Sequence, residues 1–304
     1  MAVTGKPQMK WDDLRVFLQV ARQQRLLSAA RQLALDPATV GRRITALETA
    51  LGAKLFDRSP QGYALTEAGS NLLAHAQSME SLAAAASEEV GGHADRLSGH
   101  VRIGAPDGVS NFLLPRVCAD LNRDNPDLSV QIVALPRMFS LSKREADLAI
   151  TLSPPSAGRV KIQKIGGYRL RLYATRDWAD SVRPRSLSDL RSQRGIGYIP
   201  DMIFDKELDY FASIGRDMAP ALASNSLIVQ LNWALAGAGY CILPDFVAEG
   251  FDRLVPLLRD ELSLSRSLYL IRHQDDARVA RISKTAAHLV TGMREDLARL
   301  ARLA

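Results

Sequence analysis

The chain has 304 residues, 47% of them hydrophobic and 24% charged. That composition excludes global disorder, and the length suggests two or three folding units at ~100–200 residues each. The formal net charge is +6, unevenly placed: residues 1–65 hold 10 Lys/Arg against 5 Asp/Glu, residues 66–97 hold 1 against 5, and residues 98–304 hold 28 against 23. Positive charge is densest at the N-terminus, which therefore either meets a polyanion or carries a basic solvated surface.

Cys118 and Cys241 lie far apart in apolar contexts, so they form neither a disulfide framework nor a zinc cluster and read as buried fillers. No metal and no cofactor are expected. The first twenty residues lack an apolar run after a basic start, and no stretch of ~18 apolar residues exists, so neither a signal peptide nor a membrane span is expected. A cytoplasmic location follows from that reading.

Residues 1–9 read as a loose tail. From Lys10 the pattern is helical, with Leu14, Phe17, Leu18 and Ala21 at i, i+3, i+4 and i+7. A short helix is expected over about Ser28–Ala34, then a third from Asp36-Pro37 to about Ala50. Asp36 suits the N-cap, Pro37 the first helical position and Gly52 the stop. Two helices joined by so few residues read as helix-turn-helix. Lys54–Phe56 and Tyr63–Leu65 are strand-like runs around a turn-rich loop, a two-stranded wing.

Thr66-Glu67 begins a long helix that Gly91-Gly92 stops. Leu72, Ala76, Met79, Ala83, Ala86 and Val90 recur at heptad spacing. That seam either lies on its own domain or dimerises; dimerisation is expected, because nothing nearby in the chain covers it. Polar residues 92–99 form a hinge.

Beyond the hinge, strands and helices alternate. Strands are expected at Val101–Gly104, Leu128–Leu135, Asp147–Leu152, Arg169–Tyr173, Tyr240–Leu243 and Ser267–Ile271. Helices are expected at Phe112–Asn122, Leu227–Ala236 and Arg278–Arg294. The alternation argues an α/β architecture, and its length argues two lobes.

Residues 11–75 resemble the LysR-type transcriptional regulators. The resemblance rests on Asp13–Arg22, on Ala29–Leu33 followed by Val40–Glu48, and on Leu51–Arg58 and Leu65–Gly69. Looser matches follow in the family's order: Gly99–Gly104, Leu113–Pro115, Asp147–Ile150, Ser224–Ser226 and Gly237–Pro244. The resemblance implies an α+β multidomain protein. A winged helix-turn-helix (1–65) and a long dimerisation helix (66–91) would precede a two-lobed, periplasmic-binding-protein-like effector domain (100–304). Lobe I would take about 100–172 and 272–304, and lobe II about 173–271. Three positions depart from the family pattern: Ala34 replaces the turn glycine, Leu27 the Ser/Thr at the second helix start (where Ser28 could cap one residue later), and Gly41 a serine before the paired arginines.

At about 100° per residue, Val40, Ile44 and Leu47 cluster on one face of the third helix, while Ala38, Arg42, Thr45 and Thr49 lie opposite. Arg42 is the first candidate for a base edge, and Ala38, Thr39 and Thr45 lie within reach of bases or phosphates. Arg43 suits the DNA backbone or an acid within the domain; Arg58, at the wing tip, suits phosphate, the minor groove or mere surface charge.

Effector candidates lie at strand ends and helix starts: Ser110, Asn111, Thr151 and Ser153 from the first lobe, and Pro200, Asp201, Asn225 and Ser226 from the second. A small organic acid or aromatic metabolite is the expected ligand. Expected partners are double-stranded DNA, a small organic effector, further copies of the chain as dimer and tetramer, and RNA polymerase.

An enzyme is not expected. Ser140–Lys143 satisfies S-x-x-K without its companion motifs, Gly237–Gly239 reads as a helix end, and the five histidines lack ligand spacing. The alternative is a cytoplasmic small-molecule receptor with only non-specific DNA affinity.

Overall fold

The computed structural model describes residues 9–60, 62–90, 97–134, 146–156, 158–215 and 218–303. The chain forms two compact units, one over most of its first ninety residues and the other over most of the remainder.

The first unit begins with α1 (Trp11–Gln23), α2 (Leu26–Leu33) and α3 (Pro37–Leu51), continues through a hairpin of β1 (Phe56–Ser59) and β2 (Gly62–Leu65), and ends in α4 (Glu67–Val90). Leu14, Phe17 and Leu18 of α1, Ala29 and Ala30 of α2, and Val40, Ile44 and Leu47 of α3 are buried in one core with Leu55, Phe56 and Ala76. Helix α2 starts two residues before the expected Ser28, because Leu26 packs against this core. Its N-cap is Arg25 without a side-chain bond, so Ser28 lies inside the helix and does not cap it. Ala34 takes the left-handed conformation at φ 52°, as a turn glycine would. Asp36 caps α3, accepting from Ala38 N–H at 2.8 Å and Thr39 N–H at 3.3 Å. Gly69 lets α4 approach the wing: a Cβ there would lie 2.1 Å from the Leu55 carbonyl oxygen.

The seam of α4 is divided. Leu72 and Ala76 pack into the unit's own core, whereas Met79, Leu82, Ala83 and Ala86 are exposed. The Val90 side chain lies outside the described residues. The first third of the apolar seam therefore belongs to the unit's own core and is not free to dimerise.

The second unit contains β3 (Gly99–Ala105), α5 (Asp107–Phe112), α6 (Leu114–Asp124), β4 (Leu128–Ala134), β5 (Leu148–Thr151), β6 (Val160–Thr175) and α7 (Arg176–Val182). It continues with β7 (Gly195–Gly197), β8 (Leu222–Ala223), α8 (Leu227–Leu235), β9 (Tyr240–Pro244), α9 (Asp245–Ala248), β10 (Leu254–Leu257), β11 (Ser263–His273) and α10 (Ala280–Leu303). The single helix expected over Phe112–Asn122 is two helices broken at Leu113, just before Pro115. The S-x-x-K run at residues 140–143 lies outside the described residues.

Strand order is β4-β3-β5-β11-β6-β9-β7-β8, with β10 also on β6. The long antiparallel strands β6 and β11 belong to two groups of strands. The first half of β6 and the end of β11 sit with β5, β3 and β4, while the second half of β6 sits with β9, β10, β7 and β8. This makes two lobes joined by crossing strands.

The crossing lies at a bulge, where Leu268 pairs with Gly166 and Tyr269 with Lys164, so Ile165 has no partner. Arg294 of α10 donates to the Ile165 carbonyl at 2.8 Å and the Lys164 carbonyl at 2.7 Å, satisfying oxygens that the bulge frees. Gly237 adopts φ 74° just after α8, and a Cβ on Gly239 would lie 2.0 Å from the Arg194 carbonyl oxygen. The Gly-Ala-Gly run is thus a helix stop and a close strand entry, with only Gly237 left-handed.

Candidate DNA-reading surface and ligand cleft

Helix α3 presents one buried face, Val40, Ile44 and Leu47, and one open face. Ala38, Arg42 and Thr45 are exposed on the open face, and Thr39 is half-buried. Arg42 donates to Thr39 Oγ1 at 3.0 Å, which tethers the guanidinium on the surface. Thr45 and Thr49 donate to carbonyls one turn back, at 3.1 and 2.8 Å, and the Thr45 oxygen also accepts from Arg58 at 3.4 Å. Arg43 forms an ion pair with Asp13 at 3.6 Å, the acid within the domain that one of the two readings required.

Arg58 is not at the wing tip. It lies inside β1 opposite Tyr63, one pair before the closing Ser59–Gly62 pair. Its guanidinium stands 5.5 Å from the Tyr63 ring centre and folds back to Glu48 at 3.1 Å.

Sequence reasoning missed Glu48. Its side chain is only 4% exposed; its carboxylate accepts Leu55 N–H at 2.9 Å and Phe56 N–H at 3.4 Å, and pairs with Lys54 at 3.1 Å. Burial alone would raise its pKa, but the Leu55 N–H, Lys54 and the Phe56 N–H together hold it below the ordinary carboxylate value. Glu48 ties the end of α3 to the wing and sets where Arg58 points. The signal was a carboxylate one turn after Ile44 on the apolar side, close in sequence to two cations.

In the second unit the candidates separate. Ser110 is buried and donates to the Ala105 carbonyl at 3.2 Å, while Asn111 donates back to the Asp107 carbonyl at 2.7 Å. Both are committed within their own lobe. Thr151 donates to the Ser153 carbonyl at 2.8 Å, and Ser153 donates across to Asp205 at 2.8 Å. Ser226 donates across to Asp107 at 2.8 Å; Asn225 beside it is half-buried. Pro200 lines a cavity of about 220 Å³ with Leu208, Phe211 and Pro220, inside the second lobe rather than between lobes; Asp201 is exposed.

Sequence reasoning also missed Asp107 and Asp205, which accept hydroxyls from the opposite lobe, and Tyr198, which lines the same second-lobe cavity as Pro200. Burial drives the Tyr198 phenol well above its ordinary pKa, and the negative charge of Asp107 adds to this. Cys118 and Cys241 are buried, and burial raises both thiols, Cys118 to about 11, so neither is a ready nucleophile. Among the described residues no group of three or more His, Cys, Asp or Glu could hold a metal, and no helix is long and apolar enough to cross a membrane.

A winged helix with an open polar recognition face, followed in the same chain by two α/β lobes bridged by polar contacts, is the architecture of a ligand-responsive DNA-binding regulator. Residues 11–70 match the family model of the bacterial regulatory helix-turn-helix proteins, lysR family, and residues 94–294 match that of the LysR substrate binding domain. The chain belongs to the LysR family of transcriptional regulators. It is similar to the Mau operon transcriptional activator of Paracoccus denitrificans, with 27% identity over 92% of this chain and 96% of that one. It is also similar to the regulator BbuR of Bordetella bronchiseptica, with 30% identity over 76% of this chain and 73% of that one. The fold is shared with a full-length variant of OxyR from Pseudomonas aeruginosa, at a TM-score of 0.73 and 18% identity, over 94% of this chain and 95% of that one.

Proposed function

We propose that this LysR-type regulator binds an interrupted dyad as a homo-oligomer and is switched by a small molecule in the cleft between its lobes. The observation that carries the reading is the two-faced α3: Val40, Ile44 and Leu47 are fully buried while Ala38, Arg42 and Thr45 stand open. Arg42 reads a base edge, Ala38, Thr39 and Thr45 contact bases or phosphates, and Arg43 and Arg58 follow the DNA backbone from positions set by Asp13 and Glu48.

The working limits are residues 1–65 for the DNA-binding domain, 66–91 for the dimerisation helix and 100–304 for the effector domain. Met79, Leu82, Ala83 and Ala86 supply the exposed apolar surface for pairing two copies. A second interface then gives a tetramer, which acts in the cytoplasm on promoters and on RNA polymerase. The effector meets Ser153, Asn225 and Ser226 at the cleft, and lobe movement about the Ile165 bulge resets the spacing of the recognition helices. Its relatives are regulators, which supports a non-enzymatic role.

Nuclease footprinting of the full chain, with and without metabolites of the operon beside its site, tests the proposal. A protected dyad whose boundaries shift with one metabolite supports it. A footprint and a scattering profile that ignore every ligand shown to bind the chain would overturn the switching part.

A further inference from the structure

Asp107 stands at the first position of α5 in the first lobe, directly after β3. One carboxylate oxygen accepts the N–H of Gly108 at 2.9 Å. The other reaches the second lobe, accepting the Ser226 hydroxyl at 2.8 Å and the Leu227 N–H at 2.7 Å. Ser226, the N-cap residue of α8, makes no capping bond of its own. Helix α8 is therefore capped by a carboxylate more than a hundred residues away in the chain.

The surroundings are built for this close approach. A Cβ on Gly108 would come within 2.6 Å of Leu227 Cδ2, so any larger residue there would have to displace the Leu227 side chain at the start of α8. Phe112 of α5 meets Phe251 edge-on, with ring centres 6.2 Å apart. Ser153 and Asp205 make a second bridge at 2.8 Å. Both bridges end on a carboxylate, and among the described residues neither carboxylate has an ion-pair partner; the nearby Arg266 pairs with Glu207.

A carboxylate at a helix N-terminus, accepting from a backbone N–H and a hydroxyl, is the arrangement by which such a helix end would hold an anionic ligand. We infer that Asp107 acts as the chain's own ligand for the second lobe: it closes the cleft without an anionic effector and bars a carboxylate from that position. The inference rests on the cleft being the effector site and narrows its choice. A ligand taken there is neutral or cationic at the point nearest Asp107, because an acid would have to displace that carboxylate and meet its charge.

The test uses the full chain with neither DNA nor effector, so it succeeds or fails independently of the switching proposal. In Asp107→Ala, hydrogen exchange of the amides opening α8 should speed up by about ten- to a hundredfold, the value of a charge-assisted bond. Formate at about 100 mM should restore at least half of the lost protection by filling the vacated position. Equal chloride should restore none, and formate should leave the wild type unmoved. Unchanged exchange in the variant, a loss that formate does not repair, or equal effects of formate on both proteins would each overturn the inference. Should Asp107→Ala fail to fold, Asp107→Asn and Ser226→Ala replace it. Their effects on α8 protection should be strongly less than additive in the double variant, and simple additivity would overturn the inference.

Discussion

Replacing Glu48 with alanine should destabilise the first unit by about 2–4 kcal/mol. The figure comes from what the change strands. Leu55 and Phe56 lose the acceptor of two buried N–H groups, held at 2.9 and 3.4 Å. A buried N–H without a partner costs about 1–3 kcal/mol, and the longer bond counts for less. Lys54 is 74% exposed, so its pair adds little, whereas Arg58 loses the anchor that folds it toward α3. Hydrogen exchange of the α3 amides, read at increasing denaturant, measures the loss in the full chain. The sign of its pH dependence follows from the lowered pKa. The carboxylate contributes fully above its ordinary value of 4.5, and the contribution is lost as pH falls through the lowered value. Glu48→Gln should remove that acid-sensitive part. Protection of α3 within about 0.5 kcal/mol of wild type in Glu48→Ala would mean that Glu48 does not hold the wing, since only surface positions behave so.

Arg42→Ala should cost about 1–3 kcal/mol of discrimination at one base pair while leaving the unfolding midpoint unchanged, as read from titrations against single-base variants of the site. Ala34→Gly should stabilise the first unit by about 0.5–1 kcal/mol in denaturant unfolding, because the left-handed backbone at φ 52° strains alanine. Gly239→Ala should destabilise the second unit by about 2 kcal/mol or more in the same experiment, since the new Cβ would lie 2.0 Å from the Arg194 carbonyl oxygen. Leu82→Glu, at a leucine 47% exposed beside Met79, should shift sedimentation toward smaller species without melting the first unit.

The first unit was largely legible because its signals are local. The Leu14–Ala21 stripe, the Asp36-Pro37 start and the Gly52 stop each act within one helix, and all three appear where the pattern put them. The start of α2 was misplaced because Leu26 answers to a core assembled from other helices, which no window around Ser28 contains. The heptad in α4 was real as a period, but a period does not say which surface covers it; Leu72 and Ala76 are covered by the same unit. In the second unit, β6 runs from Val160 to Thr175, although only its apolar second half gave a strand signal, because the first half is exposed and charged.

The polar site residues were the least legible. Ser110 and Asn111 have donors, yet they spend them on carbonyls of their own segment. The acids that span the cleft, Asp107 and Asp205, look in sequence like ordinary helix-start residues. Only the crossing of β6 and β11 brings them to Ser226 and Ser153. Pairings of that separation in sequence are set by topology rather than by spacing.

Sequence-specific DNA recognition by an oligomer is what separates the proposed regulator from a receptor that merely adheres to polyanions. Sequencing the genomic fragments that the full-length chain retains at physiological salt tests it most directly. A few sites sharing an interrupted dyad should be recovered, with the Arg42→Ala variant losing them in preference to bulk DNA. Retention of fragments with no common sequence, all released together as salt rises, would contradict it.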